Sequence, residues 1–117
     1  MANPFVHIEL HTTEIAKARA FYGELFDWEL QDVPMGDFTY TTIGVGEGGV
    51  GGGMMPNTVP PAWLPYVAVD DVAAATKKAV ELGGRVITDV TPIGGAGTFS
   101  IVADPTGATF GLWKGNG

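Results

Sequence analysis

The chain lacks cysteine entirely and contains a single serine. With no cysteine among its 117 residues, it can form no disulfide, no cysteine-based zinc site and no cysteine nucleophile. The absence of disulfides fits a cytoplasmic protein, which is the location we expect. The one serine, Ser100, is not flanked by the glycines of a nucleophile elbow, which argues against a serine hydrolase.

Basic residues are scarce as well. Six Lys and Arg stand against thirteen Asp and Glu, so the formal net charge is −7. Nucleic-acid binding needs a cationic surface, and so does adsorption to an anionic membrane, so we expect neither partner. No apolar run reaches the 18 residues of a membrane span, and the N-terminus has neither the basic nor the apolar part of a signal peptide.

Glycine, by contrast, is abundant, with 18 residues. The run Gly46-Glu47-Gly48-Gly49-Val50-Gly51 fits the dinucleotide-binding pattern G-x-G-x-x-G. That pattern binds a pyrophosphate only when a helix begins directly after it, and here Met54-Met55-Pro56 follows instead. We therefore interpret the run as a glycine-rich turn and strand.

The spacing of apolar residues predicts a strand, a helix and three strands, and then the same order again. The predicted first strand places Val6, Ile8 and Leu10 on the core side. The predicted elements are strand 5–10, a helix capped by Thr12 or Thr13 and running to about 26, strands 28–33, 38–43 and 50–55, strand 64–69, a helix capped by Asp70 or Asp71 and ended by Gly83-Gly84, and strands 85–90, 98–103 and 108–113.

This duplicated order predicts an α+β fold in which paired βαβββ modules form a curved, open-barrel-like mixed sheet with helices on the outer face. We expect a single domain over residues 1–117, made of module 1 (about 4–55), a linker over 56–61 and module 2 (about 62–114). Three of the eight prolines lie in the linker, which should be semi-rigid. The concave face of the sheet, with no helix over it, is where we expect a ligand.

The first strand carries the sequence His7-x-Glu9-x-His11. Alternation places the three side chains on one face if the strand reaches residue 11. Two imidazoles and a carboxylate suit zinc, iron or nickel, but over about 13 Å of strand one ion would hold two of them and hardly three. We favour a polar strand face that lines a wet pocket, with His11 in a turn. His7 and Glu9 are candidates for proton transfer, and a hydrogen-bonded pair that only positions a ligand is the alternative.

Several of these segments together resemble the glyoxalase, bleomycin-resistance and extradiol-dioxygenase superfamily, whose members are called vicinal-oxygen-chelate proteins. The resemblance covers nearly the whole chain and is strongest to small glyoxalase-like proteins of unassigned activity. The matching segments are His7, Phe21-Tyr22, Leu25-Phe26-Asp27-Trp28, Val67-Ala68-Val69-Asp70-Asp71-Val72, Leu82-Gly83-Gly84, Asp104-Pro105-Thr106-Gly107 and Phe110-Gly111-Leu112-Trp113.

The resemblance implies a metal site with one ligand on each of the first, fourth, fifth and eighth strands. By position the first ligand falls on His7, the fourth-strand glutamate at or near Gly53, the fifth-strand histidine on Leu64 and the eighth-strand glutamate on Gly111. Only His7 has a donor atom, so we expect no metal cofactor. The metal-free branch of the family, typified by bleomycin-binding proteins, is the better analogy.

We therefore expect a homodimer that binds a small organic molecule without a metal. His7 and Glu9 would supply polar contacts, and an apolar wall would come from Met55, Leu64, Tyr66 and Trp113. The alternative is a lyase, isomerase or dioxygenase with a non-standard Zn, Ni, Fe or Mn site around His7, Glu9 or His11. A third hypothesis is a metal-free enzyme that uses His7 and Glu9 as acid and base.

Overall fold

A computed structural model of the chain describes residues 2–57 and 60–116. This part of the chain contains eight strands and two helices in the predicted order, a strand, a helix and three strands, which occurs twice. They are β1 (Phe5–His11), α1 (Ile15–Leu25), β2 (Glu29–Pro34), β3 (Thr39–Gly44), β4 (Gly52–Met55), β5 (Ala62–Ala68), α2 (Val72–Glu81), β6 (Arg85–Ile93), β7 (Gly97–Ala103) and β8 (Thr109–Gly115).

The strands form a mixed sheet in the order β2-β3-β4-β1-β5-β8-β7-β6. β1 pairs with β4 in parallel and β5 with β8 in parallel, whereas β2–β3, β3–β4, β6–β7 and β7–β8 are antiparallel pairs. Because β2 and β6 end the order without pairing to each other, the sheet does not close into a barrel. The predicted α+β class and open mixed sheet are confirmed.

Two compact units make up the chain. The first, His7–Leu64, is called the N-unit here, and the second, called the C-unit, combines the residues before His7 with those from Pro65 onwards. The predicted linker over 56–61 falls at the end of the N-unit. Residues 58 and 59 of that linker lie outside the described residues.

In the N-unit, α1 covers one face of the sheet. Leu10, Ile43 and Met54 form the buried core there, and Ile15, Ala18 and Tyr22 of α1 pack against it. Leu25, predicted on the same helix face, is instead 56% exposed, because α1 ends at that residue. Val6 and Ile8, predicted in the core with Leu10, are also exposed. Only the C-terminal part of β1 is covered, so the prediction for Val6 and Ile8 was wrong.

In the C-unit, α2 packs on the sheet through Val72, Ala75 and Ala79, as predicted, over a core that includes Val102 and Leu112. Leu82, predicted on that face, is 69% exposed because it lies past the last helical residue, at the C-cap. No helix in the described part of the chain is long and apolar enough to cross a membrane.

The two helices begin differently. The Asp71 side chain accepts a hydrogen bond from the Ala74 N–H at 3.0 Å, which confirms one of the two predicted caps of α2. At α1 the cap residue is Glu14 and no side chain caps the helix, so the prediction of Thr12 or Thr13 was wrong. The Thr12 hydroxyl instead accepts a hydrogen bond from the N–H of Glu14 at 3.1 Å, which stabilises the turn just before the helix.

Two glycine-containing segments have the conformations expected of them. Gly83 follows α2 with φ of +97°, where a side chain would be strained, and so ends the helix. The G-x-G-x-x-G run leads into β4 and then β5, with no helix between them. The run is therefore a turn and strand, as interpreted from the sequence.

Candidate polar site in the N-unit

Strand β1 presents its polar residues on the face of the N-unit opposite α1. Glu9 pairs in register with Gly53, and His11 pairs with Met55. Side chains alternate along a strand, so His7, Glu9 and His11 share this face, while Ile8 and Leu10 point to the α1 side. β1 continues to His11, so the prediction that His11 belongs to a turn was wrong.

The polar face is more buried than the wet pocket expected from the sequence. Glu9 and His11 are each 7% exposed. The side chain of His7 keeps 33% of its surface exposed. Of the three, His7 is thus the one that solvent or a ligand reaches most easily.

Glu9 is the centre of a hydrogen-bonded cluster, which we call the Glu9 cluster: His7, Glu9, His11, Tyr40 and Asn57. One carboxylate oxygen, Oε1, accepts from His11 Nε2 at 2.6 Å. The other, Oε2, accepts from the Tyr40 hydroxyl at 2.7 Å. Asn57 Nδ2 lies 3.4 Å from His11 Nδ1 and holds the second side of that ring. Both oxygens of the buried carboxylate are therefore satisfied.

Tyr40 joins His7 to Glu9. The Tyr40 hydroxyl oxygen is 2.7 Å from His7 Nε2, and the two rings stack at an interplanar angle of 19°. His7 Nε2 is itself 3.6 Å from Glu9 Oε2. The hydroxyl thus lies between an imidazole nitrogen and a carboxylate oxygen, within hydrogen-bond distance of both.

The direction of these hydrogen bonds follows from the carboxylate. An ionised carboxylate only accepts, so His11 Nε2 and the Tyr40 hydroxyl must donate to it. Because the Tyr40 proton points to Glu9, the Tyr40 oxygen accepts from His7 Nε2–H. The Glu9 cluster is therefore an ordered chain of donors that runs from the most exposed residue, His7, to the buried carboxylate.

This environment changes the acidity of Glu9. Burial raises the pKa of the Glu9 carboxyl, but the hydrogen bonds from His11, His7 and Tyr40 and the charge of His11 outweigh burial and lower the pKa from 4.5 to about 2. Glu9 is therefore ionised throughout the neutral range. Such a carboxylate serves better as a fixed acceptor that orients its donors than as a proton-transfer group near pH 7.

The fourth-strand ligand position of the family resemblance is Gly53, and a side chain there has no space. A Cβ built on Gly53 would collide with the hydroxyl and ring of Tyr40. The equivalent glycine of the C-unit, Gly111, is covered in the same way by the ring of Tyr66. Each unit therefore has a tyrosine ring over a glycine, Tyr40 over Gly53 of β4 and Tyr66 over Gly111 of β8.

The residues present do not fit the family's four-ligand metal site. Gly53 and Gly111 have no donor and lie under rings, and Leu64 is a buried apolar side chain. Within residues 2–57 and 60–116, no three His, Asp or Glu side chains are grouped so that they could hold one metal ion. His7, Glu9 and His11 converge on a hydrogen-bonded cluster instead.

The remaining predicted ligand-binding residues divide between the units. Met55 ends β4 on the same face as Glu9 and is half-buried. In the C-unit, Tyr66 is 5% exposed and pairs with Gly111. Two residues further along both strands, on the same face, Ala68 pairs with Trp113. Trp113 is half-buried.

Sequence reasoning missed Tyr40 and Asn57. The alternation of residues 38–43 puts Tyr40 and Thr42 on one face, but the pattern does not say which face meets the polar side of β1. The strand register identifies the face, because Thr42 pairs with Gly53 and Gly53 pairs with Glu9. Tyr40, two residues before Thr42, therefore lies on the same face as Glu9. Asn57 lies in the predicted linker, where no periodicity exists to orient it.

A second feature of the N-unit is a surface cavity of about 180 Å³ on the α1 side of the sheet. Its lining is apolar and includes two tryptophan rings whose centroids are 6.2 Å apart, Trp28 and Trp63. Ile8, which also lines it, points away from Glu9. This cavity and the Glu9 cluster are therefore separate places at which a small molecule could bind.

Comparison with known proteins agrees with the resemblance in the sequence. The sequence model of the family described as "Glyoxalase/Bleomycin resistance protein/Dioxygenase superfamily" matches residues 5–112. The chain is 39% identical, over 93% of its length, to a protein of Mycobacterium tuberculosis named "Putative glyoxylase CFP32". It is 29% identical, over 91% of its length, to "Anthracycline biosynthesis protein DnrV" of Streptomyces peucetius.

The chain spans less than half of these relatives, 44% of CFP32 and 45% of DnrV. Among solved structures, the hypothetical protein BH1468 of Bacillus halodurans matches 97% of this chain and 94% of its own, with a TM-score of 0.69 and 16% identity. Methylmalonyl-CoA epimerase of Mycobacterium tuberculosis matches 93% of this chain and 85% of its own, with a TM-score of 0.68 and 12% identity. At such identities the two structures establish the fold alone.

Proposed function

The chain belongs to the glyoxalase, bleomycin resistance protein and dioxygenase superfamily, and we propose that it binds a small organic molecule through the Glu9 cluster without a divalent metal. One observation carries this proposal. The Tyr40 hydroxyl lies between His7 and Glu9, and its ring covers Gly53, where the family resemblance implies a metal-binding glutamate. The polar face of the N-unit is thus organised around hydrogen bonds.

The chemistry of the cluster favours a neutral ligand. Glu9 carries a negative charge at neutral pH because its pKa is about 2, and the whole chain carries −7. An anionic ligand would be repelled by both. A hydroxyl group can instead donate a hydrogen bond to the second ring nitrogen of His7, the most exposed of the three β1 residues, while Met55 offers an apolar contact on the same face.

Two relatives help to choose the ligands to test. DnrV and the similar DauV are named for anthracycline biosynthesis, which supports a planar aromatic ligand that carries hydroxyl and carbonyl groups. Such a ligand would stack on rings and meet the polar cluster at its edge. Leu64 of the N-unit is a further candidate for its apolar wall, and the ligand contacts of Tyr66 and Trp113 stay predictions from the sequence.

The test is a ligand screen with hydroxyanthraquinones, catechols and methylglyoxal adducts, read by calorimetry on the full chain treated with a chelator. Binding should weaken at least about tenfold in His7→Ala, because one lost hydrogen bond is worth about 1.4 kcal/mol. Val50→Ala, which changes only the cavity on the α1 side, is the matched control. A ligand whose affinity falls in Val50→Ala and not in His7→Ala would place binding at that cavity and refute the proposal.

The second candidate function is a metal-dependent lyase, isomerase or dioxygenase. It is favoured by the glyoxylase name of the 39% identical relative and by the 3.6 Å between His7 Nε2 and Glu9 Oε2. Turnover of a glyoxalase, isomerase or dioxygenase substrate that requires added Zn, Ni, Fe or Mn would establish it. Turnover that survives chelation and is lost in His7→Ala would instead indicate a metal-free enzyme.

We also propose that the chain forms a homodimer. Several large apolar side chains at the end of α1 are exposed, among them Phe21 at 58% and Phe26 at 43%. Contiguous apolar surface of this kind is typical of an interface between copies. Sedimentation should give twice the chain's 12.2 kDa, and Phe21→Ser should shift the equilibrium to the monomer. A monomeric wild type at high micromolar concentration would contradict this part of the proposal.

A further inference from the structure

We propose that Tyr40 determines the specificity of the Glu9 cluster by standing where a divalent cation would bind. This inference rests on the proposed metal-free function and explains how the cluster excludes the family's metal. The tyrosine acts in two ways: its hydroxyl fills the point between His7 and Glu9, and its ring fills the space of a carboxylate at position 53.

The hydroxyl position follows from three distances. His7 Nε2 and Glu9 Oε2 are 3.6 Å apart. Two donor atoms at about 2.1 Å from one tetrahedral ion lie about 3.4 Å apart, so this pair already has nearly the separation of two metal ligands. The Tyr40 oxygen is 2.7 Å from each of them. The Tyr40 hydroxyl therefore occupies the place between the two donor atoms, and it is hydrogen-bonded to both His7 and Glu9.

The ring position follows from the register. Gly53 is the direct neighbour of Glu9 across the β1–β4 pair, so a side chain at 53 would project on the same face as Glu9. That space contains the hydroxyl end of Tyr40. A glutamate at position 53 and the present position of Tyr40 are mutually exclusive. Restoring the family's carboxylate therefore requires that the tyrosine leave.

The exchange changes what the site recognises. A cation held by carboxylates binds two neighbouring ligand oxygens as a Lewis acid. A cluster built on Tyr40, His7 and Glu9 offers hydrogen-bond acceptors, which recognise a hydroxyl group without requiring two oxygens side by side. The ligand class is thus a neutral hydroxy compound, and chelating ability should not improve its binding.

The experiment is a calorimetric titration of the chelator-treated full chain with ZnCl₂, NiCl₂ and MnCl₂. Wild type should give only heat of dilution. The double variant Tyr40→Ala/Gly53→Glu should bind one ion per chain, because it removes the hydroxyl and supplies a third donor beside His7 and Glu9. Adding His7→Ala should abolish that binding. Tyr40→Phe, which keeps the ring over Gly53, is the matched control and should not bind.

Thermal unfolding checks that every variant is folded. A second variant covers the case in which the double variant does not fold. Tyr40→His replaces the phenol by an imidazole without altering Gly53, and it should also bind one ion. Failure of both folded variants to bind would overturn the inference and leave the proposed function intact. Stoichiometric binding by wild type that disappears in His7→Ala would overturn both. Gly53→Glu alone binding as tightly as the double variant would show that the ring excludes nothing.

Discussion

The N-unit and the C-unit both bury polar side chains, but of different kinds. In the C-unit, Thr76 and Ser100 share a hydrogen bond of 2.7 Å, and Thr76 also donates to the Val72 carbonyl at 2.6 Å. These are neutral hydroxyls that satisfy one another, which costs the fold little. The N-unit also buries neutral hydroxyls, those of Thr12 and Thr41, but in addition it buries the ionised carboxylate of Glu9, whose desolvation is far more costly. Such a cost is typical of a functional site.

The two units also share a feature, the tyrosine ring over a glycine. Tyr40 covers Gly53 and Tyr66 covers Gly111. The chain's two histidines, at positions 7 and 11, are both in the N-unit. The ring over glycine is thus a packing arrangement common to both units, and in the N-unit a charged cluster is built around it. From this comparison we expect the functional site in the N-unit.

The largest effect should come from the charged cluster. Glu9→Gln replaces an acceptor by an amide whose NH₂ faces a donor, so we expect the free energy of unfolding in urea to fall by about 3–4 kcal/mol. Thr76→Val in the C-unit removes two neutral hydrogen bonds, one of them to the buried Ser100 hydroxyl, and should cost about 2 kcal/mol. Equal losses in the two variants would remove the distinction between the units.

Acid should remove the stability that the ionised Glu9 contributes to the N-unit. The Glu9 pKa is 4.5 in the unfolded chain and about 2 in the fold. Because folding lowers this pKa, the associated stability of about 3 kcal/mol is present above pH 5 and is lost as the pH falls from about 4.5 to 2. Urea unfolding across that range should show the wild-type advantage over Glu9→Gln shrinking. A constant difference down to pH 2 would contradict the ionised state of Glu9.

The two covered glycines should respond unequally to an added methyl group. In Gly111→Ala the new Cβ meets the base of the Tyr66 ring, which is buried and cannot move easily, so we expect a loss of about 2–3 kcal/mol. In Gly53→Ala it meets the hydroxyl end of the half-buried Tyr40, which can shift but then lengthens its hydrogen bonds to His7 and Glu9, so we expect a loss of about 1–2 kcal/mol. That shift should also weaken ligand binding through His7, which the calorimetric titration measures.

The smallest effect concerns the helix starts. Asp71→Ala removes the cap of α2 and should lower the free energy of unfolding by about 1 kcal/mol. Glu14→Ala at the cap position of α1 removes no capping hydrogen bond and should change it by less than about 0.5 kcal/mol. A larger loss at Glu14 would show that α1 depends on a contact of this side chain to solvent-exposed neighbours such as Lys17, 3.3 Å away.

The order of elements could be predicted because it depends on local signals. Alternation defined the strands, Asp71 and Gly83 marked the ends of α2, and the repeat of the order indicated the sheet. The predicted burial of Val6 and Ile8 failed for a reason that alternation cannot reveal. A strand face is buried only where another element covers it, and here cover is provided at Leu10 alone.

The candidate site was predictable only in part. The side chains of β1 were found because three polar residues alternate within one strand. Their convergence on Glu9 was not expected, because it depends on Tyr40 from β3, and the register of β3 is set by pairing across β4. Gly53 could be assigned as a missing ligand from the resemblance, but the ring that fills its space could be seen only in three dimensions.

The most direct test of the account is an imidazole ¹⁵N NMR spectrum of the labelled chain, recorded before and after one equivalent of ZnCl₂. With only two histidines, each ring can be assigned by His7→Ala. The account predicts that both rings carry a proton on Nε2, held by Tyr40 and Glu9, and that zinc leaves both signals in place. Loss of the His7 Nε2 proton with a zinc-bound nitrogen shift would show that the metal displaces Tyr40, and would contradict the account.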